Sequence, residues 1–158
     1  MNYLIEPQKQ VEICARAEVL ILGGGPSGIA AAIASARSGS KTILIERYGF
    51  LGGMGTAAMV TNFCGLHANI NGTVQRIVHG VADDILARLE DLGGLNAPHH
   101  IKGRNGGHDT AAQAYDTAAY KVVADELLKD AGVDIRFHSL AAGVAMKNKS
   151  SIDAVILE

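Results

Sequence analysis

Tryptophan is absent from this 158-residue sequence, aromatic residues make up only 4% of it, and two cysteines are present. Cys14 and Cys64 stand far apart and form no CxxC pair, so neither a disulfide framework nor a zinc site is indicated. No run of like charges occurs and the net charge is −2, which argues against nucleic acid or an anionic membrane surface as the main partner. The N-terminus lacks a basic stretch followed by a long apolar run, so no secretory signal is expected. No apolar stretch approaches the ~20 residues that a membrane-spanning helix needs. Internal repeats are also missing. A reducing, cytoplasmic setting is the expectation.

What is present suits a compact α/β protein. Hydrophobic residues reach 48%, charged residues 19%, and there are 19 glycines. A core poor in rings and rich in Ala, Val, Ile and Leu fits helices packed closely on a sheet. The length is that of one ordinary domain, which should bury roughly 68–70% of its unfolded surface.

Residues 1–17 are mixed and polar, a lead-in. Val19-Leu20-Ile21-Leu22 is a short apolar run cut off by Gly23-Gly24-Gly25, as in a strand buried on both faces. From Gly28 the residues Ile29 to Ser38 are strong helix formers, and Gly39 stands where a helix end wants positive φ. Thr42 to Ile45 is a second β-branched run, closed by Glu46. Together these make a βαβ unit. Six glycines between Gly49 and Gly72 suggest a long, ordered loop region. Ile77, Val81, Ile85, Leu89 and Leu92 recur with helical spacing and predict an amphipathic helix, stopped by Gly93-Gly94. Leu95 to Ala114 is expected as a surface loop. Asp116 is a candidate N-cap for a helix reaching Ala131, with Gly132 as its stop. Val133 to Phe137 predicts a strand. Val144 to Met146 and Ala154 to Leu157 predict two more, joined by a turn at Lys147 to Ser151.

Gly23-x-Gly25-x-x-Gly28 is a weak signal alone, and its setting strengthens it. It follows an apolar strand and opens a helix, and an acidic residue ends the next strand. Glu46 lies 18 residues after Gly28, near the dinucleotide-fold spacing. Gly23 permits the tight turn, Gly25 lets a pyrophosphate approach the backbone, and Gly28 lets the helix pack on the strands. Free N–H groups at the helix start, with the positive end of its dipole, suit a diphosphate. Glu46 can accept hydrogen bonds from both hydroxyls of an adenosine ribose and would repel a 2′-phosphate, so NADP is not expected.

The stretch Val19 to Ala32, with Pro26 inside the turn, resembles the opening of FAD-dependent oxidoreductases of the glutathione-reductase-like superfamily. Glu46-Arg47-Tyr48-Gly49-Phe50-Leu51-Gly52-Gly53-Met54-Gly55-Thr56 resembles the second flavin-associated segment of one subgroup. The helix from Asp116, leading into Ala131-Gly132-Val133, is similar to the element that returns the chain to the FAD domain. The resemblance covers about Glu18 to Glu158. It implies a Rossmann-like domain of parallel sheet, flanking helices and a small antiparallel hairpin, with FAD as cofactor. It further implies that the N–H groups of Ser27 and Gly28 meet the pyrophosphate and that Arg47 lies near the adenosine or a phosphate. Gly52, Gly53 and Thr56 would lie near the phosphates or the ribityl chain, and Ala141 would offer its backbone to adenine. Glu18 replaces a more usual aspartate. The sequence also ends before any late Thr-Gly-Asp-type segment, so the expectation is the N-terminal portion of a longer enzyme, with its substrate domain absent and little activity alone.

Other side chains are weighed against plainer roles. Cys64 and His67 could line the substrate side of the flavin, or attach to it, but a buried Cys and a loop His are the simpler expectation. His99, His100 and His108 fit no metal-ligand spacing well, so no metal is expected. His79 is expected as a packed or capping residue of the amphipathic helix. Asp83, Asp84, Arg88, Glu90 and Asp91 are expected on that helix's solvated face. Flavin chemistry demands no protein acid or base here, so no catalytic residue is named. The expected function is electron or hydride transfer through FAD to or from a small-molecule substrate. The alternatives are an NAD-binding dehydrogenase domain and a non-catalytic assembly module that has lost its cofactor. An open sheet edge would favour a homo-oligomer.

Overall fold

The computed structural model describes residues 10–101 and 110–158. Strand β1 (Val19–Leu22) leads through the glycine turn into helix α1 (Pro26–Arg37), and β2 (Thr42–Ile45) returns beside β1. A single 3-10 turn at Gly53–Gly55 precedes β3 (Asn62–Cys64), β4 (His67–Ile70) and β5 (Thr73–Arg76). Helix α2 (Val81–Asp91) follows, then β6 (His99–Ile101), β7 (Thr110–Ala114) and helix α3 (Thr117–Asp130). Strands β8 (Asp134–Arg136), β9 (Ala141–Asn148) and β10 (Ser151–Leu157) end the order. The fold is α/β and Rossmann-like.

A parallel sheet in the order β1-β2-β8 positions the site. Leu20 pairs with Ile43, and Leu44 with Ile135. Parallel neighbours require a crossover, and α1 provides it between β1 and β2. Its Ala-rich sequence favours the helix, and Gly39, at φ +91°, supplies the left-handed step that ends it. All four residues of β2 are buried. Leu44 lies in one core with Ile29 and Ile33 of α1, Leu89 of α2, and Tyr120, Val123, Leu127 and Leu128 of α3. Each such side chain contributes roughly 1.5–3 kcal/mol of burial. Helix α3 starts where Asp116 accepts from the N–H groups of Ala118 and Ala119, at 2.7 and 2.8 Å. Gly132, at φ +79°, follows its end.

Several expectations are corrected. β1 is only half-buried: it pairs with β2 alone among the described residues, and Leu22 is 53% exposed. The region from Gly49 to Gly72 is not all loop, because it holds β3 and β4, and β4 pairs antiparallel with β5. Ile77 lies ahead of α2, exposed, after β5 has used Thr73–Arg76. Leu95 to Ala114 contains a sheet edge and a sheet centre, since β7 lies between β3 and β6. Ala111, Ala112 and Gln113 are buried there. The predicted C-terminal hairpin is present and longer than its apolar pattern, as β9 paired with β10. Among the described residues, no helix is long and apolar enough to cross a membrane.

Candidate functional site

In the turn between β1 and α1, Gly23 and Gly28 stand where a larger residue would be strained or would clash. Gly23 has φ +99°, and its N–H donates to the Ile45 carbonyl at 2.8 Å, tying the turn to the end of β2. A Cβ on Gly28 would lie 1.8 Å from the Gly23 carbonyl oxygen, so the first turn of α1 rests on bare backbone. A Cβ on Gly25 would meet nothing within 4 Å, which leaves the approach to the helix start open. No side chain caps α1, and no acidic residue sits in its first turn. Pro26 at the first helical position has no N–H. The N–H groups of Ser27 and Gly28 therefore remain for an anion at the positive end of the helix dipole.

Glu46 is buried, 6% exposed, and faces this turn. Its Oε2 accepts from the Gly24 N–H at 2.7 Å and its Oε1 from the Tyr48 N–H at 2.8 Å. Each carboxylate oxygen keeps a further lone pair for a ligand hydroxyl. The motif left Gly24 unspecified, yet a Cβ there would lie 2.4 Å from the Leu51 side chain and 3.2 Å from Glu46. Its place in a run of three glycines was the available signal.

The second glycine segment lies directly on the first. Gly52 donates its N–H to the Gly24 carbonyl at 2.8 Å, and a Cβ on Gly53 would lie 2.9 Å from the Gly25 Cα. Both have positive φ, +107° and +47°. Thr56 is buried, and its hydroxyl donates to the Leu51 carbonyl at 2.7 Å, closing the loop from within. Arg47 is exposed, with its guanidinium 4.6 Å from the centre of the Tyr48 ring. Tyr48 stacks on Phe50, and Lys121 of α3 lies over the Phe50 ring, 3.9 Å from its centre. Such cation–aromatic stacking is attractive, and it pins the segment after Glu46 against α3. Sequence reasoning missed Lys121, which no local pattern links to Phe50. Ser139 donates its N–H to the Glu46 carbonyl at 3.1 Å, and Ala141 opens β9 two residues later. The structure thus gathers the turn, Glu46, Gly52, Gly53 and the approach to Ala141 at one end of the parallel sheet.

Under the second segment lies an aromatic cluster. Phe63 stacks on Tyr115 with centroids 4.1 Å apart, and Tyr120 meets both rings edge-on. The Tyr115 hydroxyl reaches the carbonyls of Gly55 and Val60. Burial, with Tyr115 beside it, pushes the Tyr120 hydroxyl pKa up to about 12.

A family model described as FAD dependent oxidoreductase matches residues 18–158. The chain belongs to the FAD dependent oxidoreductase family. Its cofactor is FAD, which decides between the two dinucleotides left open by the glycine motif. Solved structures similar to this FAD dependent oxidoreductase include THI4 of Thermovibrio ammonificans, 18% identical with a TM-score of 0.54 over 90% of this chain and 47% of that one. PqsL of Pseudomonas aeruginosa is 16% identical with a TM-score of 0.56, over 89% of this chain and 38% of that one. GidA of Aquifex aeolicus is 18% identical with a TM-score of 0.52, over 93% and 23%. At these identities the likeness concerns the fold. The chain spans less than half the length of each. No curated protein matches it significantly.

The remaining candidates lie away from the turn. Cys64, expected buried, is exposed at the end of β3. His67 on β4 is partly buried, and burial beside Arg76 holds its pKa below the usual imidazole value. His79 precedes α2 instead of lying within it, 3.2 Å from Asp83, whose other oxygen accepts from the Gly80 N–H. The charged face of α2 is partly engaged: Asp84 pairs with Arg37 of α1, and Arg88 with Glu126 and Asp130 of α3. His99 and His100 lie on β6, and His108 falls outside the described residues. Among the described residues, no three His, Cys, Asp or Glu side chains come together as metal ligands.

Proposed function

We propose that residues 18–158 form the FAD-binding domain of a flavin-dependent oxidoreductase of the glutathione-reductase-like superfamily, passing electrons or hydride between FAD and a small-molecule substrate. One observation carries this reading: two glycine segments far apart in sequence touch backbone to backbone, and the Glu46 carboxylate lies 2.7 Å from Gly24 N on the first of them. The cradle fits the cofactor, because its backbone can be this compact only with glycine at Gly28 and Gly53, where a methyl would strike the Gly23 carbonyl or the Gly25 Cα, whereas the space above Gly25 is open. Gly23, Gly25 and Pro26 shape the turn, and the N–H groups of Ser27 and Gly28 hold the diphosphate. Glu46 holds the adenosine ribose through its free lone pairs, and Arg47 adds a cation on the outer rim. Gly52, Gly53 and Thr56 shape the wall toward the ribityl chain, and Ala141 offers its backbone to adenine. When bound, FAD supplies the ring that accepts and returns electrons.

The test is a titration of the chain with FAD, read by quenching of flavin fluorescence, with NADH as competitor. FAD should bind, NADH should not displace it, and Glu46→Ala should weaken binding roughly tenfold or more, as loss of hydrogen bonds to a charged group does. Equal FAD binding by Glu46→Ala, or tighter binding of NADH, rejects the assignment.

A further inference from the structure

The loop leaving the second glycine segment carries apolar side chains that neither the core nor the diphosphate cradle uses. Met54, Met59 and Val60 are 61%, 65% and 42% exposed. From Tyr48 to Gln75 the sequence holds no Asp, Glu, Lys or Arg, so this stretch offers a partner no formal charge. Single exposed apolar residues are ordinary, whereas several gathered in one place mark a binding surface.

Backbone bonds gather these three. The Val60 N–H donates to the Met54 carbonyl at 3.1 Å, and the Ala58 N–H to the Gly53 carbonyl at 3.3 Å. The Tyr115 hydroxyl reaches the carbonyls of Gly55 and Val60. A Cβ on Gly55 would lie 2.6 Å from that hydroxyl and 2.7 Å from the Tyr120 ring. One side of the loop is therefore pressed on the aromatic cluster, and the methionines are left outside. Met59 has φ +57°, a left-handed conformation that is uncommon for any residue with a Cβ. Such strain persists where the surrounding structure imposes it, and it gathers at ligand sites.

Position decides the occupant. Gly53, the neighbour of Met54, lies against the start of α1: its Cβ would be 2.9 Å from the Gly25 Cα and 3.8 Å from Pro26 Cδ. The apolar surface thus begins beside the diphosphate cradle, and the short ribityl chain of FAD tethers its ring to the same diphosphate. An aromatic ring gains from apolar neighbours, and thioether sulfur makes favourable contacts with ring edges.

We propose that Met54, Met59 and Val60 seat the isoalloxazine ring of FAD. The inference rests on the cradle reading and adds a separate contact for the ring end of the cofactor.

The experiment compares FAD with ADP, which carries the adenosine and diphosphate but no ring, by calorimetric titration of the chain. FAD should bind at least tenfold tighter than ADP. Met54→Ser combined with Met59→Asn, a residue that tolerates the left-handed backbone, should weaken FAD binding about tenfold and leave ADP binding unchanged. In the dark, dilute peroxide should oxidise Met54 and Met59 in the free chain and in the ADP complex, and FAD should protect both. Met146 on β9, 52% exposed, should oxidise throughout as the control, with peptide mass spectrometry as the readout. Equal affinity for FAD and ADP, parental FAD affinity in the double variant, or protection that follows protein concentration instead of FAD overturns the seat and leaves the cradle standing. The last result would mean that a second copy covers the loop. Binding of neither ligand overturns the cradle and the seat with it. Should the double variant lose its fold, the peroxide pattern of the parental chain decides alone.

Discussion

The βαβ unit and the antiparallel region from Asn62 to Tyr115 reach close packing by opposite means. Around the glycine turn, backbone rests on backbone, and a methyl group at Gly28 or Gly53 would strike main-chain atoms. Around Tyr115, rings rest on rings, with Phe63 stacked at 4.1 Å and Tyr120 edge-on. Main-chain atoms cannot rotate out of the way, whereas rings can shift by a few tenths of an ångström. The first region should therefore be intolerant of an added atom at Gly28 or Gly53, and the second tolerant of changes that conserve shape.

Three substitutions test that contrast. Gly28→Ala should have the largest effect, about 3 kcal/mol of lost stability at the upper end of overpacking costs, together with loss of FAD binding. Urea unfolding measures the first and flavin fluorescence the second. A loss under about 1 kcal/mol would show that the helix start can slide, and would break the comparison. Tyr115→Phe keeps the ring and removes the hydroxyl that reaches Gly55 and Val60, so it should cost about 1 kcal/mol. Hydrogen exchange should then quicken around Gly55 to Val60 and stay unchanged in α1. Equal quickening in both places would mean that the two regions unfold as one. Ile152→Ser, on β10 where the side chain is 63% exposed, should change stability by no more than about 0.5 kcal/mol. A larger loss would reveal packing on the hairpin that its exposure does not show.

The same contrast explains how far the sequence could be read. Gly23, Gly25, Gly28 and Glu46 were legible because their demands are local: a positive φ, a missing Cβ, and a carboxylate at a strand tip. Asp116 was legible for the same reason, since a cap bonds to N–H groups two and three residues ahead. Strands β3 to β5 were not, because three or four residues are too few for alternation to show against a glycine-rich background. Strand β7 was hidden by its composition. Thr-Ala-Ala-Gln-Ala has no β-branched alternation, and only its neighbours β3 and β6 make it a sheet centre. Within the site, the contact of Lys121 with Phe50 and the reach of Tyr115 to Gly55 are products of tertiary structure and leave no trace at short range. Cys64 failed for a related reason: residue type favours burial, but β3 turns that side chain outward.

The bond from Gly52 to the Gly24 carbonyl makes one junction out of the segments that follow β1 and β2. Lengthening the connection at Ser38 to Lys41 would leave that junction untouched, whereas a methyl at Gly24 or Gly53 would strike the segment facing it. Spacing along the chain is thus the forgiving dimension of this site, and clearance across it is the strict one.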